Sequence, residues 1–214
     1  MRTMPSASVS ALLVVLSALS AMPASSNETV RKQVPCSDIA IRIAIANDRS
    51  APDKCEDIVL SREVETHVGF FRNYRHLSDQ RHSVETREVK IWTRFVFTDE
   101  LSTYFPIGSF SSDLAGFWKD FSDKASAPGA IVKVAANGRD YEHRVQTYRG
   151  LSCLAFRSFG HYRGLGSDSK AIGVACLNKG AFDEESAKAL LARLKFGRVG
   201  AEPAVERFEP RAGS

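Results

Sequence analysis

The chain has 214 residues, 43% hydrophobic and 25% charged, with a formal charge of +4. That balance fits one folded domain with a real core and excludes a highly charged disordered chain. The positive excess is too slight to imply nucleic-acid binding, and no stretch reaches the roughly 20 apolar residues of a membrane-spanning helix.

In chain order, Arg2, the apolar run Ala11 to Met22 and the small residues Ala24, Ser25 and Ser26 have the sequence of parts of a secretory signal peptide. Residues 1–26 are therefore expected to be removed, with cleavage between Ala21 and Ser26, and the product to be secreted or periplasmic. Loss of Arg2 alone takes the formal charge from +4 to +3. Cys36 lies too far beyond the apolar run to be a lipid-anchor site. Residues 27–35 read as a flexible polar lead, 36–197 as a single domain, and 198–214, with two prolines and mostly polar residues, as a disordered tail.

Cys36, Cys55, Cys153 and Cys176 are even in number, as an oxidising compartment favours, and four cysteines allow three pairings. The local pairs Cys36–Cys55 and Cys153–Cys176 are preferred. Each closes a loop of some twenty residues, worth about 3 kcal/mol if the unfolded chain is what the crosslink restrains. No C-x-x-C or Cys/His cluster in the sequence suggests zinc, and no metal or cofactor is expected.

Within the domain, Ile39 to Ala46 is apolar and suits a buried strand or a helix segment, and Asn47 to Lys54 has turn residues and reads as a loop. Glu56 to Tyr74 fits either a helical or a strand period. Val84 to Thr98 alternates, with Val89, Ile91, Thr93, Phe95 and Phe97 on one face, and predicts one long half-buried strand. Ser111, Ser112 and Asp113 offer a helix N-cap, and Leu114, Phe117, Trp118 and Phe121 form one helical face that ends before Pro128-Gly129.

Asn137-Gly138 predicts a two-residue hairpin that sets Ala136 opposite Arg139, Val134 opposite Tyr141 and Val132 opposite His143. Leu151 to Phe159 and Lys170 to Leu177 read as a second antiparallel pair. A register that opposes Cys153 to Cys176 also opposes Phe156 to Gly173, an aromatic ring covering a strand glycine. That coincidence is the reason for the local cysteine pairing, because adjacent strands bring opposed residues within disulfide reach. Asp183 predicts the cap of a final helix, with Glu184 and Glu185 in its first turn. Ala187, Leu190, Leu191 and Leu194 are its stripe, Arg193 and Lys195 lie in its last turn, and Gly197 follows.

The expected class is thus α+β: an antiparallel sheet with a mid-chain helix and a C-terminal amphipathic helix packed on it, stapled by disulfides.

Motifs for chemistry are weak. Ser167-Asp168-Ser169-Lys170 has the Ser-x-x-Lys spacing of some acyl-serine enzymes. Here it enters a strand, whereas that chemistry needs the serine and lysine on one turn of helix. The glycines of Gly160 to Gly166 precede a strand rather than the helix that a phosphate cradle requires, and read as a hairpin loop. His67, His76 and His82 fall in an arginine-rich stretch at spacings that place no two on one helical face, and read as solvated surface. His143 reads as a hydrogen-bonded core residue.

The stretch from Arg139 to Arg163 is the strongest binding signal, with Arg139, Arg144, Arg149, Arg157 and Arg163 among histidines and tyrosines. Guanidinium forks beside aromatic rings suit phosphate- or carboxylate-bearing partners. Arg149, Arg157, His161, Tyr162 and Arg163 are the candidate ligand-binding residues. The expected function is a non-catalytic exported binding or accessory protein whose partner is an anionic envelope polymer or another extracytoplasmic protein, with no nucleic acid. The alternative is a small secreted hydrolase whose active site is assembled from residues distant in sequence.

Overall fold

The computed structural model describes residues 27–44, 49–62, 76–98, 105–163 and 166–196; the segments read as a signal peptide and a disordered tail lie outside them. The architecture is mostly antiparallel sheet with a few helices and two disulfides. Among the described residues no helix is long and apolar enough to cross a membrane.

The strands are β1 (Asn27–Gln33), β2 (Ile41–Ile43), β3 (Arg49–Arg62), β4 (His76–Thr86), β5 (Val89–Thr98), β6 (Val132–Ala136), β7 (Arg139–Tyr148), β8 (Leu151–Phe159), β9 (Tyr162–Arg163), β10 (Gly166–Ser167), β11 (Ser169–Leu177) and β12 (Leu194–Phe196). The helices are α1 (Phe110–Phe117), α2 (Lys119–Lys124) and α3 (Glu184–Leu191), with a single 3-10 turn at Cys36–Asp38. Eight strands form one sheet in the order β1-β3-β4-β5-β11-β8-β7-β6. Two meanders thus meet at the β5–β11 pairing. The small pair β12-β2 lies apart from this sheet.

Period-two alternation gives the sheet two buried faces. On one, Val84, Ile91, Tyr141, Leu154, Phe156 and Ala175 pack with Leu190, Leu191 and Leu194. On the other, Cys153, Ala155, Ile172, Val174 and Cys176 pack with Phe110, Leu114 and Phe121 of α1 and α2. Strands buried on both sides explain why β8 and β11 read as nearly continuous apolar runs.

Several expectations hold in register. The Asn137-Gly138 turn pairs Ala136 with Arg139, Val134 with Tyr141 and Val132 with His143, with φ of 46° and 77° at its two central residues. Cys153 pairs with Cys176 and Phe156 with Gly173. Both disulfides are the local ones, Cys36–Cys55 and Cys153–Cys176, with Cα separations of 5.2 and 4.1 Å. Asp183 caps α3, and Ser186 returns the bond to complete a capping box.

Other expectations are corrected. The long strand over Val84 to Thr98 is the end of β4, a turn at Arg87-Glu88, and β5. No Asn-Gly marks that turn. Thr86 makes it, its Oγ1 accepting from Glu88 N and Val89 N and donating to Val89 O. The mid-chain helix is two helices, capped by Ser109 rather than Ser111 and broken at Trp118, which is extended (φ −147°, ψ 91°). The break turns α2 so that Phe121 and Trp118 both reach Tyr148, at ring separations of 5.0 and 5.3 Å. The final helix stops at Leu191, and Leu194 and Lys195 belong to β12, which pairs with β2. Leu194 is buried as the stripe required, but from a strand. Residues 49–54, read as loop, begin β3 with register irregularities, and the polar lead supplies the outermost strand β1. Of the histidines expected at the surface, His67 lies outside the described residues, whereas His82 is buried between strands.

Candidate functional site

Four of the five predicted ligand residues flank β8 at its two ends, and Arg157 lies within it. Arg149 precedes the strand, His161 and Tyr162 follow it, and its nine residues separate them by about 30 Å. Arg149 occupies the first central position of the β7–β8 turn, with φ of 51°. Its guanidinium lies over the Tyr148 ring and pairs with Asp120 at 3.1 Å.

Arg157 faces α1 and is buried. It holds Glu142 at 2.6 Å and Asp113 at 2.5 Å, and donates to Gly108 O at 2.8 Å. Lys170 takes the other Asp113 oxygen at 2.6 Å. Lys133 also approaches Glu142, at 3.6 Å, so three cations share two carboxylates, and Arg157, bonded to both, is spent on tying the start of α1 to the sheet. The side chain of Arg163 lies outside the described residues, and Tyr162 is 67% exposed.

Arg144 lies over the Phe110 ring on the α1 face. Arg144 also keeps a buried Nε without a hydrogen-bond partner, and desolvation lowers its pKa. Arg139 differs from it in the face it occupies and in the open space beside it. It stands on the face opposite α1, where its guanidinium carbon lies 4.1 Å from the Phe196 ring centroid and 6.0 Å from that of Phe95. Its Nε donates to Ser158 Oγ at 3.4 Å, and one terminal nitrogen, Nη2, is buried without a hydrogen-bond partner. Desolvation lowers its pKa, only partly opposed by Tyr141 and then Asp168, and Asp168 makes no ion pair with it.

The space beside Arg139 follows from register. Continued one pair beyond the β7–β8 ladder, Arg139 falls opposite Gly160, whose N–H donates to Ser169 O at 2.9 Å; Ser169 in turn pairs with Phe97. The neighbouring row runs Tyr141, Ser158, Ala171, Phe95. Small residues on the two middle strands leave a trough between Arg139 and the phenylalanines. Gly160 is essential to it, since a Cβ there would come within 2.1 Å of Ser169 Oγ and 2.3 Å of Asp168 Oδ1. The resulting cavity, about 540 Å³, is lined by Phe95, Phe97, Arg139, His161, Asp168 and Ser169, among others.

Ser169, His161 and Asp168 are the residue types of a hydrolytic relay, yet they are not joined as one. Asp168 Oδ1 accepts from Ser169 Oγ at 3.1 Å and from the main-chain N–H of His161 at 3.0 Å, and no hydrogen bond links the imidazole to the hydroxyl. A relay needs the base on the nucleophile.

Two other hollows are present. One, about 350 Å³, has Trp92, Phe117 and Trp118 beneath Gln33, Lys54, Glu56 and Arg81. The other, about 590 Å³, runs beside β6 past Ile107, Tyr141, Glu142 and Tyr162.

Sequence reasoning does not single out Arg139, because it looks like any other arginine of the segment; tertiary packing commits Arg149 and Arg157 to carboxylates and places Arg139 beside the cavity. The legible signals are Gly160 and the alternation that puts Arg139 on the Phe95 side. Comparison with models of known families, with curated proteins and with solved structures finds no match.

Proposed function

We propose that this chain is a non-catalytic, exported binding protein that holds an anionic group of an extracytoplasmic ligand at Arg139. The observation that carries this reading is the pairing of that guanidinium with the trough: it is desolvated, lies against Phe196 and Phe95, keeps a buried N–H donor that no protein atom receives, and lines an open cavity of about 540 Å³. A buried donor without a partner costs on the order of 1–3 kcal/mol, more when charged. A carboxylate or phosphate oxygen entering the trough removes that cost and gains a charge-assisted bond. Phe95 and Phe97 supply apolar contact for the body of the ligand.

Two disulfides and the signal-like start support export. A partner spread over Arg149, Arg157 and Arg163 is less well supported, since Arg157 is consumed internally and Arg149 lies at the far end of β8. The experiment is a titration of the oxidised protein with phenylacetate, phenyl phosphate and uncharged phenylacetamide, followed through amide shifts of Gly160 and Ser169. The two anions shift these amides and the amide ligand does not. Equal shifts with all three would remove Arg139 from the reading.

A further inference from the structure

A second cluster lies on the sheet's first meander, where His82 falls opposite Thr93 on the face that also carries Phe95. Cys55 on β3 and His82 on β4 are direct cross-strand partners, and Cys36 reaches them from the 3-10 turn through its disulfide. The two sulfurs and a ring nitrogen of His82 all lie within 4.8 Å of one another. Cys55 and His82 are buried, while Cys36 is half-buried and gives the cluster its route to solvent.

The imidazole is oriented from behind. His82 Nε2 stands 3.1 Å from Asp53 Oδ2, and Nδ1 is buried with no hydrogen-bond partner. A carboxylate on one nitrogen and an open second nitrogen is how a metal-binding histidine is usually held. For an ordinary core histidine beside a disulfide, the idle Nδ1 is an uncompensated cost.

We infer that the Cys36–Cys55 disulfide is the oxidised half of a redox-gated site for a thiophilic d10 cation, zinc(II) being the case argued. A dithiol reductant delivers two electrons to the Cys36–Cys55 S–S bond. It closes to its own disulfide, and its two hydrogens pass to the Cys36 and Cys55 thiols. Zinc(II) then takes both sulfurs as thiolates, releasing two protons, and takes Nδ1 of His82 as third ligand. Water fills the fourth position on the Cys36 side. A disulfide oxidant reverses the step: it takes the two electrons and two protons and is left as a dithiol, the Cys36–Cys55 bond re-forms and zinc(II) is expelled, so occupancy reports the redox state of the compartment. The Cys153–Cys176 pair has no histidine near its sulfurs in a comparable cluster among the described residues.

The test compares the full chain in its oxidised form with the same chain reduced by a water-soluble phosphine, using cobalt(II) as a spectroscopic substitute for zinc. The reduced protein takes up one cobalt(II) with thiolate-to-cobalt charge-transfer absorption, and the oxidised protein takes up none. Asp53→Asn weakens binding by about 10- to 100-fold. His82→Ala weakens it at least as much, and Cys36→Ser abolishes the absorption. Because both His82→Ala and Asp53→Asn keep the disulfide until reduction, their folding can be verified first in the oxidised state. Absence of the band in the reduced wild type would overturn the inference. So would a band undiminished in Cys36→Ser or His82→Ala, which would assign the metal to the Cys153 and Cys176 thiols.

Discussion

Nη1 of Arg157 stands 2.5 Å from Asp113 Oδ2, and both side chains are under a tenth exposed. This contact joins the C-terminal part of β8 to the first turn of α1 and explains why an arginine that looks like a ligand fork is a structural tie. Removing one member of such a buried cluster strands the others. Arg157→Ala is expected to cost about 3–5 kcal/mol, read as a lower urea midpoint. Arg139→Gln, which leaves no buried carboxylate unpaired, is expected to change that midpoint little.

Gly173 lies under the Phe156 ring, and a Cβ there would approach Phe156 Cζ at 2.3 Å and Trp92 O at 2.7 Å. Backbone on one side and a fully buried ring on the other leave no room to yield. Gly173→Ala is expected to destabilise by about 1–3 kcal/mol through overpacking, despite alanine's better strand entropy, and thermal unfolding measures it.

His143 is buried between Val132 and Phe156 with neither ring nitrogen bonded, correcting its reading as a hydrogen-bonded core residue. Desolvation lowers its pKa, outweighing the nearby Glu184 charge. The folded state therefore binds this proton more weakly than the unfolded state, whose value is about 6.5. Its effect on stability is absent well above that pH and becomes a penalty as pH falls through about 6.5 towards the lower folded value. His143→Leu is expected to flatten the stability profile in that window, measured by urea unfolding across the range. An unchanged slope would place the acid sensitivity elsewhere.

The Cys153–Cys176 crosslink spans 23 residues between adjacent strands. Replacing both cysteines with alanine is expected to cost about 3 kcal/mol, with the β8–β11 register retained because Phe156 still covers Gly173.

Much of the second meander, from β6 to β11, is legible in the sequence alone. Asn137-Gly138, the Cys153–Cys176 opposition and the Phe156–Gly173 fit are local rules that agree with one another. The turn at Arg87-Glu88 is not legible, because a threonine side chain supplies what glycine normally marks. The break at Trp118 comes from ring contacts with residues of distant strands, and no helical period reveals it. Arg139 and His82 are hidden for the same reason: what sets them apart is the partner each lacks or finds across the sheet.

Anion binding at Arg139 is tested by calorimetric titration of phenylacetate into the oxidised wild type and into Arg139→Gln at low and moderate salt. One saturable site is expected that weakens with salt in the wild type, is lost in Arg139→Gln and survives in Arg149→Ala. Equal binding by wild type and Arg139→Gln, or loss with Arg149→Ala instead, would contradict anion binding at Arg139.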